Sequence, residues 1–263
     1  MKLAVQDGQG GSPFPLAQPV VAGISCPGRD LRHTSSKGGT MADSKNLRQR
    51  TSNALKVLHQ TRNTLSDMGL IGSERTATVL PLVLASMDTA EAIYALLINQ
   101  PEKSWVAALI VQRAQMEYVL RAAFFAKAAS EREVATFRRT GRIANRGKNK
   151  RYLADLAKEA AEHLGWDEDK LLRTVKSHYK DLSGLVHGGK EVLAIYTQHD
   201  AWGDITIEWD ELIQAVDNIL VFVQLGLGVA MSLSPLDPGA MDRLVRPAYE
   251  AAHAYFGKGG PDE

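Results

Sequence analysis

From Ser44 onward, apolar residues return every three or four positions, the period of helices that each bury one face. Leu47, Leu55, Leu58 and Leu65 mark a first helix that ends near Ser66, where MGLIGS breaks the pattern. A second runs from about Ser73 to Asn99 through Leu80, Leu84, Met87, Ile93, Leu96 and Leu97, with Pro81 as a late start or a kink. Asn99, Gln100 and Pro101 end it, and so short a connection predicts an antiparallel neighbour. That neighbour, Trp105 to Lys127, is a helix roughly 35 Å long. Val106, Leu109, Ile110, Met116, Leu120 and Phe124 share one of its faces, which is expected to be core.

Further along, a short helix is predicted over 131–139 and an amphipathic one over 152–164, the latter stopped by Gly165. Residues 167–187 form the next, with Leu172, Val175, Tyr179, Leu182 and Val186 on its buried face and Gly188–Gly189 as its stop. VLAIYT and DITIEW read as a brief strand pair or as extended connections packed over the helices. Residues 210–233 are strongly apolar, but the run after Asn218 is about fifteen residues and contains Gln224, short of a bilayer span, so a core helix is expected. Pro238 opens a last helix carrying Leu244, Val245, Ala248, Ala252 and Phe256. The expected fold is all-α: a single bundle of about seven helices over 41–257, a frayed tail at 258–263, and an N-terminal arm.

The arm, residues 1–40, holds seven Gly and four Pro and no apolar period, a disordered composition. MKLAVQDGQGG interrupts any signal-peptide core, and nothing apolar enough precedes VVAGISC to serve as a lipoprotein signal. Met41, at the start of the helical pattern, reads as an alternative start. With 44% hydrophobic residues in 263, the chain can bury a substantial core, and its net charge of +1 argues against a generally basic nucleic-acid coat. Its single cysteine, Cys26, excludes intrachain disulfides and cysteine-based zinc sites, and a cytoplasmic setting without a membrane is expected.

Two helices carry candidate chemistry. Arg113 and Glu117 project near the middle of the apolar stripe of the third helix, with Arg121 at its edge, four residues further on. Charges in a core must be paired and hydrogen-bonded, so this helix is expected to hold a polar site shared with a neighbour. Lys176, Lys180, Ser183 and His187, spaced four, three and four, lie on one line of the 167–187 helix, and Gly184 beside them allows a close approach. Arg113 or Arg121 can hold a phosphate or carboxylate that Glu117 orients, and His187 can act as general base beside Lys176 and Lys180. The bland alternative is a structural Arg113–Glu117 pair and a capping His187. Residues 138–151 contain seven Arg or Lys and no acid, which suits a solvated loop or an anion or nucleic-acid contact. His199–Asp200 lacks a second ligand pair, and Gly226 and Gly228 lie inside an apolar helix without a preceding strand, so neither a metal nor a nucleotide cofactor is expected.

QRAQMEYVLRAAFFAKAAS followed by YKDLSGLVHGG resembles a group of bacterial helical proteins with an Arg-x-x-x-Glu-x-x-x-Arg helix and a later Ser-x-x-x-His-Gly ending, similar to the HEPN superfamily. The resemblance spans roughly residues 45–235. It implies a helical bundle that binds RNA or a nucleotide, with metal-independent ribonucleases of toxin and phage-defence systems among its members and catalytically silent ones beside them. It makes Arg113, Glu117, Arg121, Ser183 and His187 the site. Active HEPN ribonucleases carry an arginine four to six residues before the histidine; here residues 181–186 hold none, and Lys180 supplies charge without the bidentate fork. The alternative function is a non-enzymatic interaction bundle, and a homodimer is left open.

Overall fold

The turn between the second and third helices sets the architecture, because a single residue, Gln100, separates them. In the computed structural model, which describes residues 41–145, 147–196 and 207–257, the first helices are α1 (Met41–Ser66), α2 (Thr76–Asn99) and α3 (Pro101–Ala123). Pro101 therefore opens α3, at the first helical position where its missing N–H costs nothing, four residues before the expected start. The Ser86 hydroxyl donates to the Gln115 carbonyl at 3.4 Å, pairing positions nearly equidistant from the turn, as an antiparallel register requires.

The remaining helices are α4 (Glu131–Thr140), α5 (Leu153–Leu164), α6 (Glu168–Val186), α7 (Lys190–Tyr196), α8 (Trp209–Met231) and α9 (Pro238–Gly257). Nine α-helices stand among the described residues, against about seven expected, and no strand. The clearest addition is α7: VLAIYT lies mostly within this helix rather than in an extended connection, while the first half of DITIEW falls outside the described residues and its Trp209 opens α8. The expected arm at 1–40, the tail at 258–263 and His199–Asp200 also lie outside them.

Helix α3 ends in a π-helical turn, Phe124–Ala128, where the Ala129 N–H reaches back to the Phe124 carbonyl at 2.9 Å. Arg75, just ahead of α2, donates to the Phe125 and Ala129 carbonyls at 2.5 and 2.9 Å, so the freed backbone acceptors of the turn are satisfied by a cation. Ser130 then begins α4 with a reciprocal capping box to Glu133.

The apolar helix α8 lies at the centre and is buried nearly all round. Val216, Ile219, Leu220, Val223 and Leu227 join a core shared with α1, α2 and α9, while Val221, Phe222 and Leu225 join a second core with α3, α5 and α6. At Gly226, α8 faces α2 and α3: a Cβ there would meet Val83, Val119 and Met87 at 3.5, 3.8 and 3.9 Å, ordinary van der Waals contact. Both α2 and α8 are long and apolar enough to cross a membrane by length and composition; the α8 segment is mostly interior to the bundle. On α6, Leu171, Val175, Leu182 and Leu185 enter the second core, each burial stabilising by about 1.5–3 kcal/mol. That seam clamps α6 against α3 and positions the polar contacts at its edge.

Candidate functional site

The face of α3 that packs inward is rotated from the expected one. Met116, Leu120 and Phe124 are fully buried, but Val106 and Leu109 are only partly so, and Ile110 is 36% exposed. Gln112 and Gln115 take the inward positions instead, and Gln115 Nε2 donates to the Ile219 carbonyl of α8 at 2.9 Å. The rotation moves Arg113 and Glu117 from mid-core to the flank. Their side chains are 16% and 23% exposed, and that of Arg121 is 33% exposed, so the group borders solvent. On α6, Val175 and Leu182 are buried as expected, Leu172 and Tyr179 are half-buried, and Val186 is 39% exposed.

Arg113 is the centre of the cluster. Its Nε donates to Glu117 Oε1 at 3.3 Å, its Nη2 to the Tyr179 hydroxyl at 2.9 Å, and its Nη1 lies 2.9 Å from His187 Nε2. Its guanidinium carbon sits 4.8 Å from the centre of the Tyr179 ring. The other Glu117 oxygen, Oε2, accepts from Arg121 Nη2 at 3.0 Å. One carboxylate thus ties two arginines a helical turn away on either side, and one of these bridges to α6.

A guanidinium has only donors, so a hydrogen bond across this contact requires His187 Nε2 to accept, with the ring proton on Nδ1. Tyr179 likewise accepts from Arg113 and keeps its own hydroxyl proton for donation. Asp167 starts α6 by accepting from the Lys170 N–H at 2.9 Å, and His187 ends it, its N–H bonded to the Ser183 carbonyl at 3.0 Å before Gly188 turns the chain at φ 67°. Helix length therefore places the histidine.

The two predicted sets meet through Arg113 and His187. Ser183 is half-buried one turn before His187; Lys176 and Lys180 are exposed on the same line. No hydrogen bond among the described residues joins the side chains of Ser183, Lys176 or Lys180 to Arg113, Glu117, Arg121 or His187. Tyr179 was legible only as a core position, although a tyrosine at a core edge brings a polar tip. The close approach expected at Gly184 is made by Glu191 of α7, whose Oε2 would lie 1.8 Å from a Cβ at Gly184 and 2.8 Å from one at Gly189. This seats a carboxylate on the opposite flank of the His187 line from Tyr179. Among the described residues, no three His, Cys, Asp or Glu side chains gather as a metal ion would require. Compared with known protein families, curated proteins and solved structures, the chain matches none of them.

Proposed function

We propose that the seam between α3 and α6 binds phosphate groups of RNA or of a nucleotide in the cytoplasm, and that its catalytic form is a HEPN-like, metal-independent ribonuclease. The observation that carries this reading is the Arg113 bridge from Glu117 to His187 and Tyr179. It gathers two guanidiniums and a phenol, donors that an anionic phosphate calls for, beside an accepting imidazole nitrogen at a solvent border. Arg121, held through one nitrogen and a third exposed, has donors left to give. Lys176 and Lys180 add exposed positive charge along α6.

In the cleavage step, a phosphate takes the Arg113 Nη1 donor and releases His187 Nε2. The imidazole then takes the proton of the ribose 2′-hydroxyl as the 2′-oxygen bonds to phosphorus. The bond from phosphorus to the 5′-oxygen breaks, the departing oxygen takes its proton from water, and the arginines and Lys180 stabilise charge on the phosphoryl oxygens.

A second reading also has an observation in its favour. Arg113 is fastened at all three nitrogens, as a purely structural lock between α3 and α6 would be, and the protein is then a non-enzymatic interaction bundle. The experiment is incubation with mixed cellular RNA at low salt in chelator, beside His187→Ala. Cleavage by the wild type and not by the variant supports the ribonuclease. RNA left intact but bound, with binding weakened by Arg121→Gln, supports phosphate binding alone. Absence of binding leaves the structural lock.

A further inference from the structure

The charge of this chain is unevenly spread. Residues 138–151 carry seven positive charges and no acid, so within a total of +1 the rest of the chain sums to −6. The segment runs from the end of α4 to the start of α5. Two of its cations are spent: Arg138 donates to the Glu74 carbonyl at 3.1 Å, and Arg151, only 11% exposed, pairs with Glu133 and with Glu159. Against the upward push of burial, hydrogen bonds from Ser130 and Arg151 hold the Glu133 carboxyl below its ordinary range. Glu133 and Glu159 are thus turned onto Arg151, while Asp155 stays exposed and accepts from the Tyr152 N–H at 2.8 Å. Arg139, Arg142, Lys148 and Lys150 remain exposed and, among the described residues, join no carboxylate in an ion pair.

Two further observations give the patch a direction and a ligand chemistry. Arg151 lies over the Phe124 ring at 5.0 Å, and Phe124 follows Arg121 by three residues along the chain, so the basic loop is anchored one turn from the end of the α3–α6 seam. Tyr152, at the start of α5, is 65% exposed, with Lys150 Nζ 5.8 Å from its ring centre. An exposed aromatic face among exposed cations is the combination that holds single-stranded nucleic acid, the cations tracking phosphates and the ring stacking a base.

We infer that the α4–α5 loop, through Arg139, Arg142, Lys148, Lys150 and Tyr152, is a contact for single-stranded RNA, and that the strand continues from it to Arg121. The inference rests on the phosphate-binding reading of the seam and gives it a substrate class: a strand rather than a free mononucleotide. The loop supplies affinity without sequence preference, since neither phosphate contacts nor stacking reads base identity.

The test measures binding of labelled oligouridine of about 12 nucleotides by fluorescence anisotropy, in chelator, between roughly 50 and 200 mM salt. Changing Arg139, Arg142, Lys148 and Lys150 together to Gln removes four exposed charges and leaves the folded core untouched. The slope of log affinity against log salt should shrink by about 3, at about 0.7 for each phosphate no longer neutralised. Tyr152→Ala should weaken binding roughly fivefold to hundredfold at little change in slope. The affinity of uridine monophosphate should stay the same in both variants. An unaltered slope and affinity in the fourfold variant overturns the inference, and so does equal loss of duplex RNA binding in Tyr152→Ala. Arg121→Gln separates the two readings. If it has no effect while the fourfold variant loses slope, the loop stands as an RNA contact and the seam falls; the reverse pattern keeps the seam and removes the loop. A wild type that binds no oligouridine overturns both.

Discussion

Replacing Glu117 by Gln is a sharp perturbation because a single carboxylate holds both arginines of the seam. Gln keeps the volume and one carbonyl oxygen, but its amide presents N–H groups to a guanidinium, so one of the two hydrogen bonds is broken and the other no longer has a charged acceptor. Exposed pairs at this helical spacing contribute about 0.3–0.5 kcal/mol each, whereas breaking a fully buried pair costs about 3–5 kcal/mol. Side-chain exposures of 16%, 23% and 33% place the group between these limits. A loss of about 1–2 kcal/mol is expected, which lowers the thermal midpoint of a domain this size by roughly 3–6 °C. Urea melts of the wild type, Glu117→Gln, Arg113→Met and the double variant measure it directly. The double change should cost less than the two single ones together, by about 0.5–1 kcal/mol, because Arg113 is no longer left without its counter-charge and only Arg121 still loses its partner. Oligouridine binding should tighten, since Glu117 offsets one cation of the seam. A loss of about 3 kcal/mol or more would mean that the pair behaves as a core ion pair despite its exposure. A change below about 0.3 kcal/mol with unaltered binding would deny the polar cluster any role.

Two other outcomes follow from features away from the arginines. Gly184→Ala gains about 1 kcal/mol of helix propensity but drives a methyl into the Glu191 carboxylate, so alone it should be near neutral. Combined with Glu191→Ala it should stabilise by about 1 kcal/mol in a urea melt, and the absence of that gain would contradict the close approach. Burial pushes the Tyr249 phenol up to about 12, from about 10 in the unfolded chain. The stability it contributes is whole below about pH 10 and is lost as pH rises toward 12, because only the unfolded state releases the proton; the loss is roughly 2–3 kcal/mol. Tyr249→Phe should flatten this part of the alkaline decline, and an equal decline in the variant would contradict it. Burial also raises the Tyr94 and Tyr255 phenols, which account for decline that persists.

The parts of the molecule legible in the sequence were those governed by local chemistry. Gly165 and Gly188 end their helices at positive φ, Asp167 caps α6, and the apolar surplus of α8 reads directly as a central helix. The rotation of α3 was not legible, because Val106, Leu109 and Ile110 satisfy the apolar period as well as Gln112 and Gln115 break it. The buried Gln115 becomes tolerable when α8 supplies a backbone acceptor for its Nε2, and that partner lies 104 residues away. The same rotation carried Arg113 to the flank, so a pair expected in the core borders solvent. Arg113 and His187 were each picked out by residue type and spacing. Their contact depends on the seam of Leu171, Val175, Leu182 and Leu185, which no spacing along one helix encodes. α7 was missed for a simpler reason: Val192, Ile195 and Tyr196 are β-branched or aromatic and suit an extended segment equally well.

The claim that the α3–α6 seam holds phosphate is tested most directly at the His187 ring. Nitrogen-15 NMR of histidine-labelled protein, with His187→Ala assigning its signals among the seven histidines, reports which ring nitrogen carries the proton. The free protein should show His187 neutral with the proton on Nδ1. Addition of oligouridine should move the Nε2 signal as Arg113 turns to the phosphate, and Arg113→Met should abolish that response. An Nε2–H tautomer in the free protein, or an Nε2 signal that stays fixed while oligouridine is bound, would contradict the account.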